Sequence, residues 1–303
     1  MIDRQRFLVR FWGVRGSYPM PGAATMRHGG NTSCVEVQVG AHTLILDAGS
    51  GIIRLGEDLL QRPHTKPLNI SLLITHGHSD HLNGLPFFTP LYEPDTCIDF
   101  FGPRLDGYNI EQLVTSPMSP PYFPVDIRQL PSQRAFHTLP DDASSIIWER
   151  GAGRPEMVAN GHKEARETEI RITAKFTHNH PQNGSFIYRI EYAGRCLVFA
   201  TDVEWAGGCD ADIIGFIQGA NLLIHDAQYT PDDYRRNKDG FGHSTFEMAT
   251  EVALAAGVDE LVLFHHEPTY DDNTLDGIEA EARKRFARTR SACEGMEIDL
   301  LAV

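Results

Sequence analysis

The sequence predicts an α/β fold in which two groups of strands each form a sheet. Short β-rich runs bounded by turn residues begin at the amino terminus, and a second group follows between residues 170 and 264. Helical patterns at 52–60 and 244–257 lie among these runs. Two sheet-forming halves that each carry helices are typical of sheets packed face to face with helices outside.

The first half is predicted to contain short strands at residues 7–12, 34–39 and 43–46, with a hairpin turn at Gly40-Ala41-His42. A helix at 52–60 follows Asp47-Ala-Gly-Ser-Gly51, and the apolar run at 70–74 predicts a buried strand. Asp80 and His81 are expected to open a helix that runs toward Leu91, because a carboxylate in the first turn complements the helix dipole.

The second half is predicted to contain strands at residues 170–177, 185–192, 195–200, 222–225 and 260–264. Ser244-Thr-Phe-Glu247 has the form of a capping box, and Gly257 is a stop signal, so a helix is expected between the last two strands. Residues 104–164, with their proline-rich stretch at 116–124, are interpreted as an insertion in a single domain of residues 1–303. This insertion either shapes the site or packs on the surface.

Composition restricts the classes of partner and compartment. The formal net charge of −14 disfavours nucleic acid as a partner, because nucleic-acid affinity depends on Lys and Arg, although a small anion held by metals is compatible with it. The five cysteines are widely spaced and include no CxxC motif, which fits a reducing compartment. Without a signal-peptide pattern or a run of eighteen apolar residues, a cytoplasmic protein with no membrane partner is expected.

The strongest chemical signal is Thr-His-Gly-His-Ser-Asp-His at residues 75–81, directly after the predicted strand at 70–74. Three imidazoles and a carboxylate in one turn are ligands that suit a divalent ion; zinc fits best, and manganese or iron would also fit. No cysteine lies near to close a structural site. The motif therefore predicts a catalytic metal centre with a position for water.

The same motif resembles the signature of the metallo-β-lactamase superfamily, in which such a turn supplies ligands to two adjacent metals. The resemblance implies a four-layer αββα sandwich with its site at one edge of the sheets.

The resemblance also supports His180, which precedes a turn at Asn183-Gly184, over His178 as a ligand. Among the histidines after the last strand, His265 is favoured over His266. Asp202 follows a buried strand, and the resemblance makes it the bridging ligand, whereas by itself it would be read as a turn former. The implied ligand set is His76, His78 and His180 for one ion, Asp80, His81 and His265 for the other, and Asp202 between them.

Gly242-His243-Ser244-Thr245 and the upstream His225-Asp226-Ala227 resemble the His-Ser-Thr and His-Glu-Ala motifs of the ribonuclease Z branch and its relatives that act on cyclic phosphodiesters. The resemblance implies that His243 contacts the phosphate and is supported by Asp226, where ribonuclease Z has glutamate. A histidine near a helix start can stabilise a phosphoryl group or protonate its leaving oxygen. We therefore predict Asp80, His243 and Asp226 as catalytic residues.

The glycine-rich segments at 13–17 and 29–34 resemble the first hairpin of the same branch. Arg15, Asn31 and Ser244 are the candidate substrate contacts. The oligomeric state is left open, although the resemblance allows a homodimer.

Two bridged dications would make the protein a hydrolase, and the motifs above favour phosphodiesters. Between residues 104 and 164 there are six Lys/Arg against eight Asp/Glu, which does not suit the basic arm of a tRNA 3′-end endonuclease of the ribonuclease Z type. A small phosphodiester such as a cyclic nucleotide is therefore the first expectation, and the endonuclease is the alternative. Hydrolysis of a lactone, thioester or β-lactam and a non-catalytic ligand sensor are the remaining alternatives.

Overall fold

The computed structural model describes residues 6–64, 66–140, 144–148, 156–159, 169–181 and 184–302. They belong to two compact units. The first unit comprises Met1–Leu139 and Cys293–Val303, and the second unit comprises Pro140–Ala292. Asn183 of the predicted turn and parts of the predicted insertion lie outside the described residues.

The strands are numbered in chain order. They are β1 (Phe7–Gly13), β2 (Cys34–Val39), β3 (His42–Leu46), β4 (Leu68–Leu73), β5 (Thr96–Gly102), β6 (Gln133–Thr138), β7 (Ser144–Trp148), β8 (Glu156–Ala159), β9 (Ile170–Thr177), β10 (Ser185–Tyr192), β11 (Arg195–Ala200), β12 (Leu222–Asp226), β13 (Glu260–Phe264), β14 (Thr289–Ser291) and β15 (Glu297–Asp299). The α-helices are α1 (Ile52–Gln61), α2 (Ile110–Thr115), α3 (Ala211–Ile217), α4 (Pro231–Asn237), α5 (Phe246–Ala256) and α6 (Asp272–Arg285).

The first unit is built on a mixed sheet with the strand order β15-β1-β2-β3-β4-β5-β6. The strands β3 to β6 run parallel, so the segments after β3 and β4 leave the sheet at the same edge. Ile52, Leu55 and Leu59 of α1 pack with sheet residues such as Ile45 and Leu72 in one apolar core. Spacings of three and four residues place these α1 side chains on one helix face, which explains why α1 covers the sheet.

The second unit is built on a mixed sheet with the order β14-β13-β12-β11-β10-β9-β7-β8. The strands β11 to β14 run parallel, and the described residues on the other side of β11 pair antiparallel. Helices α3, α5 and α6 cover this sheet with apolar side chains such as Ile213, Val252 and Leu275. The predicted α/β class is confirmed, because each unit combines one sheet with helices.

Two sequence predictions about helix starts are wrong. The helix expected from Asp80 toward Leu91 is a series of short 3₁₀ turns at Ser79–His81, Leu85–Phe87 and Thr89–Tyr92. Pro86 and Pro90 lack the N–H that an α-helix would need at these positions, and their rings would clash with the preceding turn. The N-cap of α5 is Thr245, which accepts from Met248 N, whereas Ser244 donates to the carbonyl oxygen of Val203.

The segment predicted as an insertion contributes regular structure to both units. Its described residues include α2 and β6 of the first unit and β7 and β8 of the second unit. Among the described residues, no helix has the length and hydropathy that a bilayer-spanning segment requires.

Candidate active site

In the first unit, the residues after β4 bring three histidines and an aspartate together. The ring of His76 lies 4.5 Å from that of His78 and 4.3 Å from that of His81, measured between centroids. Asp80 is buried, and its Oδ2 atom lies 3.3 Å from Nε2 of His81. The backbone N–H of Ser17 donates to the same Oδ2 at 2.7 Å, so the amino-terminal loop fixes this carboxylate.

Asp47, which follows β3, orients the histidine motif. Its fully buried carboxylate accepts hydrogen bonds from Nδ1 of His81 at 2.8 Å and from the backbone N–H of Thr75 at 2.8 Å. Burial raises the pKa of Asp47, and the hydrogen bonds from His81 and Thr75 oppose this rise. Because Nδ1 of His81 donates to Asp47, its Nε2 is the atom that faces Asp80 and can act as a ligand.

In the second unit, His180, Asp202 and His265 follow β9, β11 and β13, and all three side chains are buried. The Oδ1 atom of Asp202 lies 3.2 Å from Nε2 of His265, and its Oδ2 atom lies 3.6 Å from Nε2 of His180. Asp202 therefore lies between the two imidazoles, with one carboxylate oxygen toward each.

The ring orientations of His180 and His265 are fixed in the same way as that of His81. Nδ1 of His180 donates to the carbonyl oxygen of Gly242 at 2.9 Å. Nδ1 of His265 donates to the side-chain oxygen of Gln228 at 3.2 Å, and the amide of Gln228 donates to Glu267. A carbonyl oxygen cannot donate, so in each ring the Nδ1 atom carries the proton and Nε2 carries the lone pair.

These contacts test whether a cation fits. A carboxylate oxygen and an imidazole lone pair repel each other at 3.2–3.6 Å unless a positive charge lies between them. Two ligands of a tetrahedral zinc ion with bonds of about 2.0–2.2 Å are about 3.3–3.6 Å apart. The pairs Asp80–His81, Asp202–His180 and Asp202–His265 are 3.3, 3.6 and 3.2 Å apart, within 0.1 Å of this range, so the donor set of each unit suits a divalent ion.

Three of these carboxylate and imidazole residues have an unusual backbone conformation. Asp47, Asp202 and His265 have φ values of 62°, 53° and 61°, in the left-handed region that residues with a Cβ rarely adopt. Asp47 and His265 directly follow β3 and β13, and Asp202 lies two positions after the end of β11. Such conformations cost of order 1–3 kcal/mol and concentrate at functional sites. The surrounding hydrogen bonds hold the three side chains against this cost.

Next to Asp202 and His265 lies a histidine–aspartate pair. Nδ1 of His243 donates to Oδ2 of Asp226 at 2.8 Å. The His243 ring stacks on that of His265 with centroids 4.9 Å apart and lies 5.1 Å from that of His180. Asp202, Asp226, His243 and His265 each bring one potential ligand atom within 4.8 Å of the others. The hydrogen bond to Asp226 fixes the ring of His243 through its Nδ1 atom.

Glu204 holds the loop in front of His243. Its carboxylate accepts hydrogen bonds from the backbone N–H groups of Gly240 at 2.8 Å and Gly242 at 2.6 Å, and from the hydroxyl of Tyr234. The carbonyl oxygen of Gly242 in turn accepts from His180. Glu204 therefore connects the segment after β11 with the loop that carries His243.

The other histidines are placed differently. His178 is exposed and makes an edge contact with Phe176, whereas Nε2 of the buried His266 donates to the carbonyl oxygen of Ala292. His225 accepts a hydrogen bond from Trp205 at Nε2 and donates from Nδ1 to the backbone, and burial lowers its pKa. These contacts favour His180 and His265 as the metal-ligand candidates.

The candidate substrate contacts are engaged in internal hydrogen bonds. Arg15 is fully buried and donates from Nε to the carbonyl oxygen of Gly29, so it supports the glycine-rich loop. Asn31 is bonded to Glu294 through its backbone and side-chain nitrogens, and the backbone N–H of Ser244 donates to Asp226. These contacts hold the loops that carry the three residues, and their role in substrate binding stays a prediction.

Sequence reasoning missed Asp47, Gln228 and Glu204. A signal was present for Asp47, because it is a carboxylate directly after a strand, and Asp202 similarly lies two positions after one. Gln228 and Glu204 act through contacts with residues 37 and 36 or 38 positions away, and no local pattern marks them.

The chain is similar to known proteins over most of its length. The model of the β-lactamase superfamily domain matches residues 42–266. Ribonuclease Z from Gemmatimonas aurantiaca is 28% identical over 97% of this chain and 96% of its own length. The metallo-β-lactamase fold protein YhfI from Bacillus subtilis (20% identity, TM-score 0.64) covers 97% of this chain and 99% of its own. Human short-form tRNase Z (19% identity, TM-score 0.63) covers 96% of this chain and 98% of its own.

The two solved structures confirm the predicted fold class, and the family model spans the histidine motif after β4 as well as His180, Asp202 and His265. The chain is therefore a member of the metallo-β-lactamase superfamily and a metal-dependent hydrolase.

Proposed function

We propose that this hydrolase is a phosphodiesterase that cleaves RNA. The observation that carries the proposal is the hydrogen bond of 2.8 Å between Nδ1 of His243 and Oδ2 of Asp226. The imidazole of His243 also stacks on that of His265. A thioester releases a weakly basic thiolate, so its hydrolysis would not require such an acid beside the metal ligands. The name ribonuclease Z, shared by the curated relatives, supports RNA as the substrate class.

The proposed metal centre holds two divalent ions. The donor chemistry favours zinc, since the candidate ligands are imidazole nitrogens and carboxylate oxygens. When bound, the ions would neutralise phosphoryl charge and lower the pKa of water. The proposed ligands are His76, His78 and His180 for one ion, Asp80, His81 and His265 for the other, and Asp202 for both.

His243 is the proposed proton donor. In its cationic form it holds one proton on Nδ1, directed at Asp226, and a second on Nε2. Water attacks phosphorus and forms a new phosphorus–oxygen bond while the bond to the leaving oxygen breaks. The Nε2 proton passes to the leaving oxygen, which avoids release of a strongly basic alkoxide. Asp226 stabilises the cation and fixes the ring, because it also accepts from three backbone N–H groups.

A small phosphodiester such as a cyclic nucleotide is the second candidate. The net charge of −14 and the acidic balance of residues 104–164 favour it, because they oppose the attraction of a long polyanion. This was the first expectation from the sequence. The curated relatives support the RNA substrate better.

Assays with four kinds of substrate distinguish RNA cleavage, cyclic-nucleotide hydrolysis, carbonyl hydrolysis and ligand sensing. The substrates are a tRNA precursor with a 3′ trailer, a single-stranded RNA, a panel of cyclic nucleotides and a panel of lactones and thioesters. Cleavage of RNA that is lost on chelation and in Asp80→Ala supports the proposal. Turnover of cyclic nucleotides without RNA cleavage selects the second candidate. Hydrolysis of carbonyl substrates alone rejects both, and nucleotide binding without any turnover indicates a sensor.

A further inference from the structure

The loop before His243 displays an exposed aromatic ring on a fixed backbone. More than half of the surface of Phe241 is exposed, at 54%. The glycines on either side of Phe241 have φ values of 80° and 88°, and their N–H groups both donate to Glu204. Exposing a large apolar side chain has a hydration cost, and the two hydrogen bonds to Glu204 hold the backbone in the conformation that exposes this ring. Such a ring is well suited to receive a flat ligand.

A cation lies beside this ring. The Nζ atom of the half-buried Lys238 lies 5.3 Å from the ring centroid of Phe241 and 5.2 Å from that of Tyr229. Both distances are within the range of cation–π attraction, so two rings hold the ammonium group in place. The neighbouring Arg235 and Arg236 instead form ion pairs with aspartates of their own helix, α4.

The cation and the exposed ring are connected to the candidate proton donor. The buried ring of Tyr229 makes an edge contact with the ring of His243, with centroids 5.9 Å apart at 85°. Phe241 is separated from His243 by one residue. The order in space is therefore His243, Tyr229, Lys238 and Phe241, all within the second unit.

We infer that Phe241 and Lys238 form a nucleotide subsite, in which Phe241 stacks on a nucleobase and Lys238 pairs with a phosphate next to the bond that is cleaved. This inference rests on the proposed function and specifies how its substrate is held. Every base has an aromatic face, so stacking on one ring binds bases with little sequence preference. Lys238 supplies a local positive charge in an acidic protein, where general attraction of a phosphate is weak.

Two p-nitrophenyl phosphodiesters test the base-binding role with the metal-loaded protein. Thymidine 5′-(p-nitrophenyl phosphate) carries a base, whereas methyl p-nitrophenyl phosphate does not. In Phe241→Ala, the fold-increase of KM for the thymidine ester is expected to be roughly ten times the fold-increase for the methyl ester. A factor of this size agrees with the loss of one stacking ring. Phe241→Trp should restore it. Leu254→Ala, which removes a side chain of similar exposure (56%) from α5, is the matched control.

Equilibrium binding separates this inference from the proposed function. Calorimetric titration with uridine 5′-monophosphate should show weaker binding by Phe241→Ala than by the wild type, whether or not the protein turns over a phosphodiester. For a single-stranded oligonucleotide, Lys238→Gln should reduce the slope of log K against log salt by about 0.7, as expected for one lost phosphate contact. Equal effects of Phe241→Ala on both esters, together with unchanged nucleotide binding, would overturn the subsite. If the wild type turned over no phosphodiester but still bound uridine 5′-monophosphate more tightly than Phe241→Ala, only the proposed function would be rejected.

Discussion

Nδ1 of His243 lies 2.8 Å from Oδ2 of Asp226, and this carboxylate also accepts hydrogen bonds from the backbone N–H groups of Asp202, Gln228 and Ser244. One buried side chain thereby fixes the proposed proton donor, the segment with the candidate bridging ligand and the start of the loop before α4. The shorter aspartate, which replaces the glutamate expected from the resemblance, reaches all of these groups.

The first prediction concerns this pair. Asp226→Asn should lower kcat for RNA by about 10²–10⁴-fold, because an amide cannot accept from every N–H group present and fails to hold Nδ1 of His243 protonated. For a phosphodiester with a p-nitrophenolate leaving group, kcat of the variant should fall much less, since that leaving group needs no proton. His243→Gln is the comparison variant. If the fold-loss of kcat in the double variant equalled the product of the fold-losses in the two single variants, the residues would act independently. That result would reject the pairing.

The second prediction uses two nearby histidines that differ in burial. His180→Gln should remove one of the two proposed ions, because His180 directs Nε2 at Asp202. His178→Gln should leave the metal content unchanged, since His178 is exposed and contacts Phe176. Elemental analysis of both purified variants, after circular dichroism has verified folding, gives the ratio of metal to protein. Loss of metal in the His178 variant alone would reverse the assignment.

The third prediction concerns Glu204 as a positioning residue. In Glu204→Gln an amide nitrogen replaces one of the two carboxylate oxygens, so one of the two glycine N–H groups loses its acceptor and the loop before His243 should shift. We expect kcat for RNA to fall by about tenfold, with a smaller change for a p-nitrophenyl ester, by analogy with a misplaced group near the reaction centre. Tyr234→Phe, which removes the third hydrogen-bond donor to Glu204 but keeps both glycine contacts, is the control. Equal losses with both substrates would indicate a general structural effect.

The fourth prediction concerns stability at the end of α5. Gly257 caps this helix with φ of 61° in open space, so Gly257→Ala should cost about 1 kcal/mol of unfolding free energy through left-handed strain alone. Gly277 also has open space but lies inside α6, where Gly277→Ala should stabilise by roughly 0.5–1 kcal/mol. Urea midpoints should therefore move in opposite directions. Shifts of the same sign would show that backbone conformation does not control the two effects.

The sequence by itself determined the strands and the residues that follow them. Apolar runs such as 70–74 and 260–264 have a strong local signal because strand residues must be buried, and polar residues directly after buried strands mark the edge of a sheet. The α-helix predicted after Asp80 does not form, because Pro86 and Pro90 cannot be accommodated within it. The carboxylate at its start is a weaker signal than these two prolines.

Only the tertiary structure decided how the side chains are oriented. The choice of Nε2 as the ligand atom in His81, His180 and His265 depends on the acceptors Asp47, Gly242 and Gln228, each at least 34 residues away in sequence from its histidine. The same holds for Glu204 and for the internal hydrogen bonds of Arg15. Hydrogen bonds act over about 3 Å in space and leave no periodic pattern in the chain, so they become visible only after folding has brought the partners together.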